Sequence, residues 1–357
     1  MTHTNLITAA FLLLTGLTSC EETTDRIDNN PGTDPDNSEW LIPVNEVSDG
    51  GPGKDGIPAL TDPEFINAFE ASFMKETDLV LGIKIGDEVR AYPHLILDWH
   101  EIINDQINDE YFAITYCPLT GTGIAWNRDL ESGVTTFGVS GLLYNTNLLP
   151  YDRATDSYWS QMRLDCVHGE KVSDEIKTYP VVETTWKIWQ KMYPETKVVS
   201  SKTGYSRSYG NYPYGSYRTD DNYIIFPVSN KDSRIPNKER VHGIITSEKV
   251  ITFRFSEFNE GTKVLKETIS GNEILIIGNS SDNFIVSFFT DNNSTISYSA
   301  IQNEYPLVLM DSRGNKFDVF GIATEGPEKF KILTPTKSFI GYWFSWAAFY
   351  PELEIFE

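Results

Sequence analysis

The sequence predicts an α+β fold made of two similar strand-rich units, each ending in a short amphipathic helix. Segments with alternating apolar residues, such as 80–92, are typical of half-buried strands. Trp186, Trp189 and Tyr193 are spaced as on one face of a helix, which Pro194 ends. Both patterns occur twice in the chain, which favours a pseudo-twofold architecture with antiparallel sheets around a common core.

The repeat consists of three ordered blocks, which pair 80–92 with 241–253, 152–159 with 311–317, and 186–195 with 343–352. The first and last pairs match without gaps, and the middle pair has one residue fewer in the second copy. Apolar and aromatic residues that recur in both copies are best explained by packing that each unit needs. Polar residues present in one copy require another explanation, and the first copy contains nearly all of them.

These patterns divide the chain into five segments. We assign 1–19 to a signal peptide, 20–38 to a lipidated cysteine with an acidic, disordered tether, and 39–199 to the first repeat with an N-terminal extension. A tyrosine-rich segment, 200–223, connects it to the second repeat, 224–357.

The N-terminal assignment rests on a short apolar run and the cysteine that follows it. The run 6–17 is too short to span a bilayer and ends in Leu17-Thr18-Ser19-Cys20, which resembles a lipobox. His3 is the only basic residue before the run, so the charged first region is weak. We expect lipid on Cys20 to anchor the protein to a membrane of the cell envelope, facing the periplasm or the cell surface.

Charge and cysteine content limit the partners of the mature chain. The net charge of −22 argues against nucleic acid and anionic lipid headgroups as partners, since both are bound through Lys and Arg. After lipidation only Cys117 and Cys166 remain, as a disulfide or as two buried thiols. We predict a free Cys117, because the second copy builds the matching strand without a cysteine.

Candidate ligand-binding residues are the polar and aromatic side chains found in the first repeat and in the connecting segment. They are Tyr116, Thr120, Tyr144, Asn145, Asn147, Asp152, Arg153, Gln161, Tyr205 and Arg207. Amide, hydroxyl, guanidinium and tyrosine groups together suit a small molecule, a glycan or a peptide. Packing of the two repeats against each other explains the tyrosines equally well.

Several blocks carry a resemblance to a known family. Tyr116-Cys117-Pro118-Leu119 and the Gly-Val-Ser-Gly-Leu-Leu run at 138–143 resemble DUF3179, a bacterial domain of unknown function, as do 203–207 and 344–351. The resemblance covers roughly residues 54–357. Many relatives carry Cys-Pro-Leu-Cys, whereas Thr120 stands at the second cysteine here, so a dithiol or two-cysteine metal role does not transfer. The family implies a set of marked positions and no established reaction.

Cys117 is the sharpest candidate for catalysis, because a thiolate is a strong nucleophile that His100 can activate if the fold brings the two together. The alternative is a buried, inert thiol. The same two residues, with His168, can also form a copper or zinc site. Carboxylate pairs for acid–base chemistry are available among Asp98, Glu101, Asp105 and Asp152, but the sequence does not give their separation.

Three hypotheses about function follow. The leading one is a lipid-anchored protein that binds a small or oligomeric ligand in one polar cleft of the first repeat, roofed by the tyrosine-rich segment, with or without chemistry at Cys117. The second is a copper- or zinc-binding protein, and the third a structural or interaction lipoprotein. His94 and His242 lack polar neighbours in the sequence, so we expect them to be surface or core residues.

Overall fold

The computed structural model describes residues 40–292 and 295–356. The predicted signal peptide, Cys20 and the tether lie outside the described residues. The described chain is strand-rich with short helices, as mostly-β and α+β folds are. Its α-helices are α1 (His94–His100), α2 (Trp186–Met192) and α3 (Trp343–Phe349). Shorter 3-10 helices span Val44–Glu46, Ala68–Glu70, Tyr217–Thr219 and Phe255–Phe258.

The strands before residue 200 are β1 (Val47–Asp49), β2 (Leu60–Thr61), β3 (Phe65–Asn67), β4 (Leu79–Ile85), β5 (Glu88–Pro93), β6 (Ile102–Ile107), β7 (Glu110–Cys117), β8 (Thr122–Asn127), β9 (Asp129–Leu130), β10 (Gly133–Val134), β11 (Phe137–Tyr144), β12 (Asn147–Asp152), β13 (Tyr158–Ser160), β14 (Asp165–His168), β15 (Thr178–Tyr179), β16 (Val182–Thr185) and β17 (Lys197–Val199). They form sheets with the orders β16-β4-β5-β17-β3, β15-β8-β7-β6-β2 and β1-β11-β12-β13-β14, and the small pair β10-β9.

The strands after residue 224 are β18 (Arg240–Ile245), β19 (Val250–Arg254), β20 (Lys263–Ile269), β21 (Asn272–Asn279), β22 (Phe284–Phe289), β23 (Tyr298–Ala300), β24 (Leu307–Asp311), β25 (Lys316–Asp318), β26 (Ala323–Glu325), β27 (Lys337–Tyr342) and β28 (Glu354–Ile355). Their sheets have the orders β27-β18-β19-β28, β20-β21-β22 and β23-β24-β25-β26.

Two of these sheets have corresponding connections. In the first, β4 and β5 form an antiparallel hairpin, β16 flanks β4, and α2 leads to β17, which runs parallel to β5. In the second, β18 and β19 form the hairpin, β27 flanks β18, and α3 leads to β28, which runs parallel to β19. The hairpin expected at 80–92 and the helices expected after Thr185 and Tyr342 are therefore present.

The hydrophobic core joins residues from both ends of the sequence. Trp343 and Trp346 of α3 lie in one buried cluster with Trp126, Phe137 and Trp159 from the earlier strands. Trp186 and Trp189 of α2 lie in another cluster with residues of the later strands, which include Phe284, Phe317 and Phe320. Each tryptophan helix thus helps to bury the strands of the other part of the chain, which stabilises both through apolar burial.

Candidate functional site

The candidate site forms where α1 turns into β6. Pro93 has an extended backbone and precedes the first residue of α1, a position where its fixed φ suits the start of a helix. The helix ends at Glu101, whose φ of 57° lies in the left-handed region. The Glu101 carbonyl accepts a 2.7 Å hydrogen bond from the Tyr116 N–H. This turn places the side chains of Asp98 and Glu101 beside the end of β7.

Asp98 is the first carboxyl of the site. It is 6% exposed, and Nη2 of Arg218 donates hydrogen bonds of 2.8 Å to both of its oxygens. The Arg218 guanidinium stacks on the ring of Tyr212, with 3.6 Å between its carbon and the ring centroid. Burial raises the pKa of Asp98 to about 6 although the charge of Arg218 opposes the change.

Glu101 is the second carboxyl. It is 6% exposed, and its Oε1 accepts a 3.2 Å hydrogen bond from the Tyr214 hydroxyl. Burial raises the pKa of Glu101 to about 7; the Tyr214 hydrogen bond opposes this and the negative charge of Asp98 adds to it. The two carboxyls are thus electrostatically coupled, and Glu101 exchanges its proton near neutral pH.

The tyrosine loop, residues 200–223, covers both carboxyls. Besides Tyr214 and Arg218, the loop is held by the Tyr212 hydroxyl, which donates to the Pro118 carbonyl at 2.9 Å. The Asn211 carbonyl accepts a 3.1 Å hydrogen bond from Trp99 Nε1. A ligand can reach Glu101 only if part of this loop moves, because the side chains under it are buried.

Cys117 lies at the end of β7, close enough to Glu101 for their charges to interact. The side chain is 1% exposed, and its thiol donates toward the Thr146 carbonyl at 3.7 Å. Burial, followed by the charge of Glu101, raises the pKa of Cys117 to about 11, so the thiol is protonated at neutral pH. Cys117 and Cys166 are both free thiols, as predicted for Cys117.

His100 contributes to a different set of contacts. Its Nδ1 lies 2.7 Å from the Pro58 carbonyl, which can only accept, so Nδ1 donates. Nε2 of the neutral ring then accepts from the Tyr209 hydroxyl at 2.6 Å. Burial lowers the pKa of His100, which keeps the ring neutral. Both ring nitrogens are engaged, and the structure does not join His100 to Cys117 through a hydrogen bond.

The donor set for the copper or zinc alternative is also not assembled. Among residues 40–292 and 295–356, no group of three or more His, Cys, Asp and Glu side chains is placed to hold a metal ion. His100 in particular would have to give up its bonds to Pro58 and Tyr209 to act as a ligand. The geometry of the described residues therefore gives this alternative no support.

A family model described as "Protein of unknown function (DUF3179)" matches residues 54–353. The chain belongs to the DUF3179 family. The match includes Asp98, Glu101, Cys117 and the whole tyrosine loop. No curated protein matches this DUF3179 chain, and no solved structure does.

Three of the predicted ligand-binding residues belong to one buried hydrogen-bond network inside this DUF3179 chain. Thr120, Asn147 and Gln161 are each 0% exposed. Asn147 Nδ2 donates to Thr120 at 2.9 Å and to Gln161 Oε1 at 2.8 Å, and Gln161 Nε2 donates to Thr115 at 3.0 Å. These bonds hold the strands around Cys117 beneath the end of β7, although Asn147 Oδ1 is buried and has no partner among the described residues.

Other predicted residues are also held by internal contacts. Asn145 bonds the carbonyl of Ala348 and the N–H of Ser229, which links the two ends of the sequence. Asp152 accepts from Thr155 and from Trp159 Nε1. Tyr144 packs edge-to-face on Phe349, and Arg153 pairs with Asp55 at 2.7 Å.

Tyr116, Tyr205 and Arg207 lie beside the site. Tyr116 is 3% exposed, and burial, followed by the charge of Asp98, raises its pKa. Tyr205 is 46% exposed, with its ring centroid 5.4 Å from that of His100. Arg207 is exposed and lies over Trp99, 6.0 Å from the ring centroid. These last residues form the outer, solvent-facing side of the loop.

His94 and His242 are both buried, which agrees with the expectation of surface or core positions, but each has a polar neighbour in the fold that the sequence does not show. His94 Nε2 lies 3.8 Å from the carboxyl of Glu183, and His242 Nε2 lies 2.8 Å from Ser287 Oγ. Sequence patterns around both residues are apolar, and the partners are 89 and 45 residues away in the chain, so no local pattern could reveal them. The pairing of Asp98 with Arg218 could not be predicted from a local pattern either, because the two residues are 120 positions apart.

Within the described ranges, no helix is long and apolar enough to cross a membrane.

Proposed function

We propose that the protein binds a polyhydroxylated ligand, such as a glycan, at Asp98, Glu101 and Arg218. The observation that carries the proposal is the pair of coupled, buried carboxyls with pKa values of about 6 and about 7 under a tyrosine-rich loop. Acidic side chains whose pKa is strongly raised by burial are typical of binding and catalytic sites, because they destabilise the folded chain.

The charges of the site select the class of ligand. Two carboxyls in a chain of net charge −22 repel an anion. A purely apolar ligand would remove water from the carboxyls without replacing its hydrogen bonds. Hydroxyl groups can donate to carboxylates and accept from Arg218 and the tyrosines, while sugar rings stack on aromatic faces such as those of Trp99 and Tyr205. A polyol therefore satisfies every group of the site.

Immobilised glycans test this proposal directly. We expect wild-type protein to bind a subset of them, and Glu101→Gln to lower the affinity about tenfold, since a hydrogen bond to a charged group contributes about 1.5–3 kcal/mol. Glu131→Gln, at an exposed position, is the matched control and should bind as wild type. Absence of binding to any glycan by wild-type protein would refute the proposal.

Acid–base hydrolysis is a second candidate function. A pKa of about 7 for Glu101 is suited to donating a proton to a leaving group at neutral pH, with Asp98 as the companion carboxyl. Release of nitrophenol from nitrophenyl glycosides, lost in Glu101→Gln, would support it. Cys117 has the wrong protonation state for a nucleophile in this closed arrangement.

We further propose that lipid on Cys20 holds this site at a membrane of the cell envelope, on the periplasmic or outer surface. The support is the apolar run 6–17 followed by Leu17-Thr18-Ser19-Cys20. Cys20→Ala should move the folded protein from the membrane fraction to the soluble fraction, whereas Ser19→Ala should leave it in the membrane. Membrane retention of Cys20→Ala would exclude the anchor.

We also infer that the two parts of the chain, about 57–199 and 224–357, arose by duplication. The three sequence blocks support this, as do the corresponding connections of the sheets that contain β4 and β18. The carboxyl site is formed by the first unit and the tyrosine loop. Under this proposal the two units are related by pseudo-twofold symmetry, whereas the site is present in the first unit alone.

A further inference from the structure

The tyrosine loop has an outer part that is open to solvent and an inner part that is not. Residues 204–208 are exposed one after another, whereas Tyr212, Tyr214 and Arg218 are half-buried around the carboxyls. The inner side chains are engaged by the hydrogen bonds that hold the loop closed. The outer part can therefore meet a ligand while the loop stays closed.

Tyr205 is the aromatic residue of the outer part. It is 46% exposed, and its ring packs against that of His100, with 5.4 Å between the centroids. His100 is itself fixed, because its two ring nitrogens bond the Pro58 carbonyl and the Tyr209 hydroxyl. A tyrosine ring offers a large contact area at a low cost in conformational entropy, and a ring with a rigid backing loses still less on binding. His100 therefore supports an exposed ring that is ready to receive a ligand.

The side chains of Trp99 and Arg207 extend this surface. Trp99 is the residue of α1 that is not buried, and its Nε1 donates a 3.1 Å hydrogen bond to the Asn211 carbonyl. The guanidinium carbon of the exposed Arg207 lies 6.0 Å from the Trp99 ring centroid. Burial, and then the charge of Arg207, lower the pKa of His100, so the guanidinium also lies near that ring. We call Trp99, Tyr205 and Arg207 the outer platform.

The outer platform is next to the carboxyl pair in the chain and in space. Trp99 lies between Asp98 and Glu101 at the end of α1, where each residue advances the helix by about 1.5 Å. Tyr205 packs on His100, the residue before Glu101. The same loop covers the carboxyls and contributes to the platform. The two surfaces are thus parts of one site that continues from the interior to the solvent.

The composition of the outer platform suits a sugar ring. One face of a pyranose ring carries C–H groups, which can pack on an aromatic ring such as that of Tyr205, while its edge carries hydroxyl groups. The guanidinium of Arg207 has five N–H donors, of which Nη1 reaches the Ser206 carbonyl, and the others can donate to hydroxyl oxygens. A ring at the carboxyls lies under the loop, whereas a ring on the platform lies outside it. One monosaccharide therefore cannot occupy both places.

We propose that the outer platform is a second sugar subsite, so that the ligand is an oligosaccharide of at least two rings. One ring stacks on Tyr205 and accepts from Arg207, and the next ring reaches Asp98 and Glu101. This inference rests on the proposed function, because it extends the same glycan site. The platform binds first, since it is exposed in the closed arrangement, and the inner ring binds after the inner part of the loop has moved.

Linear tetrasaccharides of glucose, mannose and N-acetylglucosamine are the probes, each with its monosaccharide, and isothermal titration calorimetry of the purified protein measures the affinities. We expect at least one tetrasaccharide to bind about tenfold or more tightly than its monosaccharide, because exposed tyrosines that a ligand covers are frequent hot spots of binding. Tyr205→Ala should remove this difference and leave the affinity for the monosaccharide unchanged. Tyr205→Phe keeps the ring and should preserve the difference.

Tyr223→Ala is the matched control, because Tyr223 is also 46% exposed but lies at the other end of the loop, and this variant should bind as wild type. Glu101→Gln separates the second subsite from the proposed function, since it should weaken binding of the tetrasaccharide and the monosaccharide alike. If Tyr205→Ala binds the tetrasaccharide as tightly as wild type while Glu101→Gln weakens it, the second subsite is wrong and the glycan site stands. Equal affinities of wild-type protein for tetrasaccharide and monosaccharide also overturn the inference, and absence of binding by every probe overturns both proposals.

Discussion

Glu101 combines two energetic costs at one residue. Its backbone has a φ of 57°, which costs a non-glycine residue on the order of 1–3 kcal/mol. Its carboxyl is buried with one hydrogen bond, from Tyr214 at 3.2 Å. A residue selected for stability alone would be a glycine or an apolar side chain. The retained acid is consistent with a role in binding or catalysis.

The raised pKa of Glu101 predicts how stability depends on pH. The unfolded chain releases this proton near the usual pKa of 4.5 and the folded chain near 7, so the folded state holds more protons between these values. The free energy of unfolding therefore falls as pH rises from about 4.5 to about 7. Each tenfold change in proton affinity corresponds to about 1.4 kcal/mol. Above pH 7 the free energy of unfolding is therefore lower by about 3 kcal/mol than it is at acidic pH.

Glu101→Gln isolates this contribution. The amide keeps an acceptor for Tyr214 and cannot ionise, so we expect the variant to be as stable as wild type near pH 4 and more stable by up to about 3 kcal/mol at pH 8. Urea denaturation at both pH values measures this difference in the free energy of unfolding. The control Glu131→Gln should track wild type at each pH, and a Glu101→Gln variant less stable than wild type at pH 8 would contradict the assignment.

The buried thiol gives a second prediction at this scale. Cys117 should resist iodoacetamide in the native protein, because it is protonated and covered. Arg218→Met removes the bond to Asp98 that holds the tyrosine loop, so alkylation of Cys117 should accelerate by about tenfold or more. Mass spectrometry of the labelled peptides measures the rate. Arg153→Met, which breaks an exposed ion pair, should have no effect, and equal rates in both variants would show that the loop does not guard Cys117.

Local sequence could identify single residues but not their partners. Cys117 was recognisable because it lies in a marked motif and has no counterpart in the second block. The hydrogen bonds of His100 to Pro58 and Tyr209 could not be recognised from the sequence, since these residues are 42 and 109 positions away. The same holds for the carboxyl pair, whose burial depends on a loop that follows it by more than a hundred residues.

At the scale of elements, a glycine in a strand faces a tryptophan of a helix in each part of the chain. A Cβ atom added to Gly82 would lie 2.0 Å from the ring of Trp189, and one added to Gly243 would lie 2.3 Å from the ring of Trp346. Both tryptophans are 0% exposed and packed on all sides. Equivalent contacts at corresponding positions are what the proposed duplication requires.

Gly82→Ala and Gly243→Ala should therefore destabilise the protein to a similar degree, by about 1–3 kcal/mol or more, because the rings cannot move without disturbing the core. Thermal or urea unfolding measures the effect. Asp87→Ala, in the exposed turn of the β4–β5 hairpin, is the control and should cost less than about 0.5 kcal/mol. A large cost at one glycine and none at the other would argue against equivalent units.

The elements differ in how well the sequence predicts them. Helix α2 has clear periodicity, because one face is buried and the other is not. The β4–β5 hairpin was found from its alternating apolar residues and its repeat, although residues 80–83 of β4 are buried on both faces. Helix α1 was missed, since six of its seven residues are buried and no amphipathic pattern remains. Short strands such as β9 and β10 contain two residues each, too few to show alternation.

At the scale of the whole molecule, the two parts of the chain share their cores. Phe320 packs edge-to-face on Trp189, with 6.2 Å between ring centroids, and Trp343 belongs to the same cluster as Trp126. Separating the parts would expose both faces to water. The sequence could indicate two similar units, but it could not show that each buries the other, because such contacts are long-range.

We therefore expect a single cooperative unfolding transition for the described body. Tryptophan fluorescence and far-UV circular dichroism should give the same midpoint in urea. A fragment that ends at residue 223 should lack a cooperative transition, since its core clusters lose Trp343, Trp346 and Phe320. Two separated transitions in the full chain would show that the parts are independent domains.

The last residues of the chain have a further consequence for synthesis. The N–H of Tyr342 donates to the Thr120 carbonyl at 2.7 Å, and the Tyr350 hydroxyl donates to the Met162 carbonyl at 2.7 Å. Translation adds these partners some two hundred residues after the strands that they complete. The growing polypeptide therefore cannot close its native core until residues 342–350 have been synthesised, so the early strands must wait for partners that are added much later.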